Sequence, residues 1–207
     1  MLDVPVFDVK SHYLLENEVA YLRPLTLEDM PHLLPFALDE ADLWQYSLTL
    51  AAGEKGLKHY IELAVAKKEK GNAYPFIVWD KRSKAYAGST RFYDIEQQHR
   101  CLSVGYTWYG KQFQGTGLNK HCKWLMLSFA FETLCMERVE FRADSCNQRS
   151  IAAMKSIGCQ VEGILRSNAI RPDGTRRNSI VLSILKSEWE SGAKEKLCQR
   201  LSEVGVG

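Results

Sequence analysis

The 207-residue chain reads as an α/β protein on one mixed, mostly antiparallel sheet of about seven strands flanked by helices. Three observations predict it. Aromatic and β-branched runs follow one another at 74–80, 86–93 and 102–109, with polar clusters between them, as in an antiparallel meander. After residue 117 the pattern changes to long helix, strand, helix and two closing strands, which places crossovers beside hairpins. No repeat, low-complexity tract or Pro/Ser-rich linker interrupts the chain, so residues 1–207 are expected to form a single domain.

Taken in order, residues 1–18 are an N-terminal extension that precedes a first short strand at 19–23. Thr26 is placed to cap a helix, with Asp29 three residues on as a capping-box variant and apolar Leu33, Leu34, Phe36 and Ala37 following. Residues 54–70 carry Leu57, Tyr60, Ile61, Ala64 and Val65 at i, i+3, i+4 spacing and end in Lys67, Lys68 and Lys70 before Gly71, an amphipathic helix with a basic C-terminal end. The meander follows, turning at 80–84 and 94–100. Residues 117–134 predict a long helix, 139–143 a strand and 148–157 a second helix. Strands at 160–169 and 179–185 close around the turn Pro172-Asp173-Gly174. Residues 187–207 form a tail that reads as helical.

Composition excludes several functions. At 45% hydrophobic and 25% charged residues the chain can fill a core and is not a disordered tract. The 27 Lys+Arg against 25 Asp+Glu leave a charge of +2, which gives no global attraction to nucleic acid or anionic membrane. No apolar stretch reaches the ~18 residues of a membrane span, and residues 1–11 lack the pattern of a signal peptide. The six cysteines form no Cys-x-x-Cys pair and no zinc quartet with histidine, so neither a metal site nor a disulfide framework is expected. Together these predict a reduced, cytoplasmic chain. Oligomeric state is left open, a homodimer included.

The chemistry concentrates at 104–120, VGYTWYGKQFQGTGLNK, where a strand feeds a glycine-bearing loop that opens a helix. The first N–H groups of a helix lack internal partners and its macrodipole makes that end partly positive. Glycine lets backbone approach a pyrophosphate closely. Read alone, Gly115 and Gly117 also suit a plain turn and cap. No Gly-Lys-Ser/Thr completes a Walker loop, and Lys120 stands where a third dinucleotide-fold glycine would sit.

The run Gln112-Phe113-Gln114-Gly115-Thr116-Gly117 resembles the Gln/Arg-x-x-Gly-x-Gly/Ala signature of the GNAT superfamily of acetyl-CoA-dependent N-acetyltransferases. The stretches 137–166 and 173–189 resemble its branch of ribosomal-protein N-terminal acetyltransferases. The resemblance runs from about residue 21 to 189 and implies a GNAT-like fold and acetyl transfer from acetyl-CoA to a primary amine, by direct attack in a ternary complex. The acceptor would be a protein N-terminal α-amine or a small-molecule amine. The implied cofactor contacts are Tyr106, Thr107, Trp108 and Tyr109 along the pantetheine arm, and the loop from Gln112 through Phe113, Gln114, Gly115, Thr116, Gly117, Leu118 and Asn119 around the pyrophosphate. Asn147 would hydrogen-bond near pantetheine. Ser150 would face the thioester sulfur as the general acid. Spacing allows that pair to share a helix face, and Asn147 equally suits a plain helix cap.

The chain departs from its relatives at two positions. Met154 stands where many carry a proton-donating Tyr, and Ser103 where many carry a strand Glu. Glu96, His99 and Glu162 are the candidate replacement bases, beside water or an amine that arrives deprotonated. Arg166, Arg171, Arg176 and Arg177 crowd the last hairpin and read as a solvated face, or as an attraction for an acidic substrate or the 3′-phosphate of CoA. A segment at 44–46 could line the acceptor pocket. A CoA-binding sensor or interaction protein without turnover is the alternative function.

Overall fold

The computed structural model describes residues 5–203; the ends of the expected extension and tail, residues 1–4 and 204–207, lie outside that range. Eight strands make one sheet: β1 (Leu15–Glu16), β2 (Ala20–Pro24), β3 (Ala73–Asp80), β4 (Ala85–Glu96), β5 (Cys101–Tyr109), β6 (Arg138–Asp144), β7 (Gln160–Ile170) and β8 (Arg176–Leu185), in the order β1-β2-β3-β4-β5-β6-β8-β7. Every pairing is antiparallel except β5 with β6. The expectation of about seven strands is short by β1, whose two residues are too few to show a period.

The helices are α1 (Met30–Asp39), α2 (Gly53–Glu69), α3 (Leu118–Ser128), α4 (Gln148–Ser156), α5 (Lys186–Glu188) and α6 (Lys194–Glu203). The amphipathic spacing read at 54–70 does bury Leu57, Tyr60, Ile61 and Ala64. Asp29 accepts from both the amide (2.8 Å) and the hydroxyl (3.2 Å) of Thr26, closing the expected cap on a short 3₁₀ turn that leads into α1. The same carboxylate holds Arg23 of β2 at 2.5 Å. The helix expected over 117–134 is shorter: α3 stops at Ser128 and continues as a single π-helical turn, Phe129–Thr133.

Successive residues of β4 and β5 show which helices cover which face. Thr90 and Thr107 meet side chains of α3, whereas Arg91 and Trp108 meet α1 or α2. Alternation along a strand therefore sets α3 against one face and α1–α2 against the other. The described part of the extension, residues 5–18, belongs to the fold, for buried Phe7 stacks on Tyr13 at 5.3 Å and meets Tyr74, Phe92 and Phe129.

Candidate acetyl-transfer site

The site is built where β5 leaves its parallel neighbour. β6 pairs only with residues 101–104, so from 105 to 109 that edge of β5 faces no strand. Toward β4 the register slips by one residue, because two steps along β4, from Ser89 to Arg91, match three along β5, from Trp108 to Gly105. Tyr106 sits inside this bulge at φ 50°. Gly105 beside it does not supply the positive φ. It gives room to Tyr93, whose ring would lie 2.8 Å from a Cβ added there. The bulge turns Tyr106, Thr107, Trp108 and Tyr109 out of the regular ladder, which is how such irregularities aim groups at sites.

β5 then runs into a tight turn. The Phe113 amide donates to Gly110 (2.9 Å) and the Gln114 amide to Lys111 (3.1 Å), so these two are spent inside the turn. Thr116 Oγ1 donates to the Phe113 carbonyl at 2.8 Å and takes only a long contact, 3.4 Å, from the Leu118 amide. The amides of Gly115, Thr116 and Gly117 have no protein acceptor among the described residues. Gly115 at φ 78° and Gly117 at φ 86° hold this shape, and a Cβ at Gly115 would meet open space. Gly117 caps α3. The free donors thus open on a helix N-terminus, a natural anion site. Arg82 reaches the Thr116 carbonyl at 3.1 Å, and Gln114 bridges the Tyr109 carbonyl and Arg149 of α4, so two guanidinium groups flank the loop. Gln112 is exposed, Phe113 and Leu118 are buried anchors, and Asn119 keeps a buried, unpartnered Oδ1.

Asn147 caps α4: its Oδ1 accepts from the Ser150 amide at 3.0 Å. The capping reading therefore holds, and it leaves the Asn147 Nδ2 and the Ser150 hydroxyl without protein partners among the described residues. Met154 and Ser103 are buried. Of the candidate bases, Glu96 and His99 are exposed. Glu162 is tied to Ser183 and Arg138, whose hydrogen bonds, Ser183's first, hold its carboxyl below the usual range. Glu140, level with Ser103 on β6, is gripped by Arg138 at 3.0 Å and Arg142 at 2.6 Å.

On the α1–α2 side, Trp108 packs against Trp44 (4.7 Å between centroids), Phe36 and Tyr60, and donates to the Tyr60 hydroxyl at 3.3 Å. Tyr60 in turn reaches the Tyr106 carbonyl at 3.3 Å. Of the segment at 44–46, Trp44 lies on this face against Trp108, and the Tyr46 carbonyl accepts from Arg177 of β8 at 3.2 Å. Of the hairpin arginines, Arg171 is bound to Asp144 at 2.8 Å and Arg177 is buried, so only part of that cluster is a solvated face.

Sequence reasoning passed over two buried cations beside the bulge, Arg91 and Lys123. The only signal was a charge inside an apolar run. Lys123 of α3 is 5% exposed and donates to Thr107 Oγ1 (2.7 Å) and Thr90 Oγ1 (3.1 Å). Burial pushes its ammonium down to about 8. Below pH 8 both folded and unfolded chains hold this proton. Between about 8 and 10.5 only the unfolded chain does, so this group makes stability rise with pH across that window, by about 3 kcal/mol in full. Lys123→Met is expected to be more stable than wild type at pH 7, with the gap closing by pH 10.5. The raised Tyr93 acts in the opposite sense in both proteins and cancels in the difference of stabilities, whereas Cys122 and Cys159, which the Lys123 charge lowers, rise further in the variant and add to the narrowing of the gap toward high pH. A gap independent of pH would mean Lys123 is not buried as a charge.

Comparison with known proteins gives the chain's family. The family description for the acetyltransferase (GNAT) domain matches residues 20–160, and the chain belongs to that family. One relative is the Bacillus subtilis (strain 168) protein named "Putative ribosomal N-acetyltransferase YdaF", 31% identical over 103 residues, which span 50% of this chain and 55% of that one. A "putative acetyltransferase" from T. thermophilus superposes with TM-score 0.81 at 33% identity over 91% of this chain and 96% of its own. The microcin C7 self-immunity acetyltransferase MccE, solved with acetyl-CoA and AMP, shares the fold at TM-score 0.72 and 18% identity over 82% of this chain and 93% of its own. Among the described residues no helix is long and apolar enough to cross a membrane, and no cluster of His, Cys, Asp and Glu could hold a metal.

Proposed function

We propose that residues 1–207 act as one domain that moves the acetyl group of acetyl-CoA to a primary amine, on a protein N-terminus or a small molecule. One observation carries this reading: the unpaired edge of β5 at 105–109 runs directly into the free amides of Gly115, Thr116 and Gly117 at the start of α3. A long ligand with a peptide-like arm and a pyrophosphate needs those two features in that order. MccE, of the same fold, is known with acetyl-CoA bound.

In this reading acetyl-CoA supplies an activated thioester, and the chain's residues do the rest. The β5 edge pairs with the pantetheine amides. Asn147 keeps its Oδ1 on the helix cap and offers its Nδ2 as a donor. Backbone N–H groups in the bulge polarise the carbonyl. As the amine nitrogen bonds to the acetyl carbon, the C–S bond breaks and the amine's proton passes to water; the Ser150 hydroxyl relays a proton to the departing thiolate, taking one back from water as it gives its own, so that no alkoxide is left. Glu140 and Glu162 are held by arginines and so are poor bases. The buried Ser103 and Met154 favour one other reading, a CoA-binding sensor without turnover. Ser150→Ala separates the two. Acetyl transfer predicts unchanged acetyl-CoA affinity with kcat lowered about tenfold or more, measured as thiol release with an amine panel. Equal kcat in both proteins would remove Ser150 from the chemistry, and no turnover by wild type with any amine would leave the sensor.

A further inference from the structure

The face of the bulge opposite α3 holds a cation with no counterion. Arg91 of β4 stands level with Gly105 and is 2% exposed, yet its Nε and Nη2 make no hydrogen bond. Its guanidinium lies 4.0 Å from the Tyr106 ring centroid and 4.9 Å from that of Tyr60. Stacking on aromatic rings offsets part of the cost of burying a charge. It does not satisfy N–H donors, which buried sites otherwise almost always pair. No carboxylate among the described residues lies within ion-pair distance of Arg91.

The surroundings add positive charge rather than removing it. Lys67 of α2 sits 5.6 Å from the centroid of the same Tyr106 ring. Arg177, 7% exposed, reaches Tyr46 and Ser179, and its nearest acid, Asp144, is 4.0 Å away and already held by Arg171 at 2.8 Å. Nε and Nη2 share one edge of the planar guanidinium, the fork that fits two oxygens of a carboxylate or phosphate. This edge belongs to the residue level with the start of the segment that would hold the thioester.

Resting on the acetyl-transfer reading above, we infer that the acceptor carries a carboxylate or phosphate close to its amine, and that Arg91 binds this group and so positions the nitrogen. The test measures kcat/KM at saturating acetyl-CoA for matched amines: α-amino acids against their carboxamides, O-phosphoethanolamine against ethanolamine, and tripeptides with amidated C-termini as uncharged N-terminal acceptors. The expected result is a preference of about tenfold or more for an anionic member over its neutral match. The carboxylate and phosphate pairs tell the two sources apart. In Arg91→Met the ratio of anionic to neutral kcat/KM falls to about one, and Arg91→Lys retains part of it. Thermal midpoints with and without acetyl-CoA confirm that each variant is folded and loads its cofactor. Neutral amines or amidated peptides used as well as anionic ones would overturn the anionic acceptor and leave acetyl transfer standing. Absence of turnover with every amine, in protein that binds acetyl-CoA, would overturn both.

Discussion

Gly117→Glu is expected to abolish acetyl-CoA binding, with affinity falling by about two orders of magnitude or more, a loss of about 3 kcal/mol. Two physical effects coincide at this position. Gly117 lies at φ 86°, where a side chain costs about 1–2 kcal/mol of backbone strain. A carboxylate there would also set negative charge against the free amides of Gly115 and Thr116 and the positive end of α3. Gly117→Ala carries the strain without the charge. It should therefore lose stability but retain most of its affinity, which separates blocking of the site from damage to the loop. Calorimetric titration on protein with wild-type far-UV dichroism reads the effect. Undiminished affinity in a folded Gly117→Glu protein would remove the loop from the cofactor site.

The second large effect is expected at Gly88, where β4 lies against the end of β5. Gly88 has φ 155°, and a Cβ added there would lie 2.1 Å from the Trp108 carbonyl oxygen and 2.9 Å from the Tyr109 Cα, both backbone atoms of the paired strand. Backbone cannot swing aside as a side-chain tip can, so Gly88→Ala must push β4 from β5 next to the bulge. A destabilisation of about 3 kcal/mol or more is expected, the range in which strain at a special backbone position belongs. For a chain of this size that lowers the thermal midpoint by roughly 6–12 °C. Acetyl-CoA affinity should fall as well, because residues 105–109 shift with the strand. A midpoint within about 2 °C of wild type, a bound set by the same scaling, would show that the two strands are not so closely apposed.

Much of this architecture was legible in the residues. The three β-rich runs carry their own turns, the α2 stripe fixes the face it buries, and the glycine loop at a strand-to-helix junction has few physical uses. What escaped is what periodicity does not encode. β1 is too short to have a pattern and exists through its pairing with β2. The π-helical turn after Ser128 carries no glycine or proline to mark it. The bulge was hidden because its positive φ falls on Tyr106 rather than on neighbouring Gly105, whose lack of a side chain serves Tyr93 instead. Arg91 and Lys123 show in sequence only as charges inside apolar runs. Only the crossing of β4 and β5 with α2 and α3 shows that both are buried beside the same irregularity.

The measurement that tests the central claim most directly is the thermal midpoint of the wild-type chain with and without acetyl-CoA, with desulfo-CoA and ATP alongside. Ligand at 100 times its dissociation constant adds about 2.7 kcal/mol, which corresponds to roughly 5–11 °C at this size. The β5 edge and loop together predict a shift of that order with both CoA compounds and none with ATP. No shift at millimolar acetyl-CoA, or an equal shift with ATP, would contradict the assignment of this strand edge and loop to acetyl-CoA.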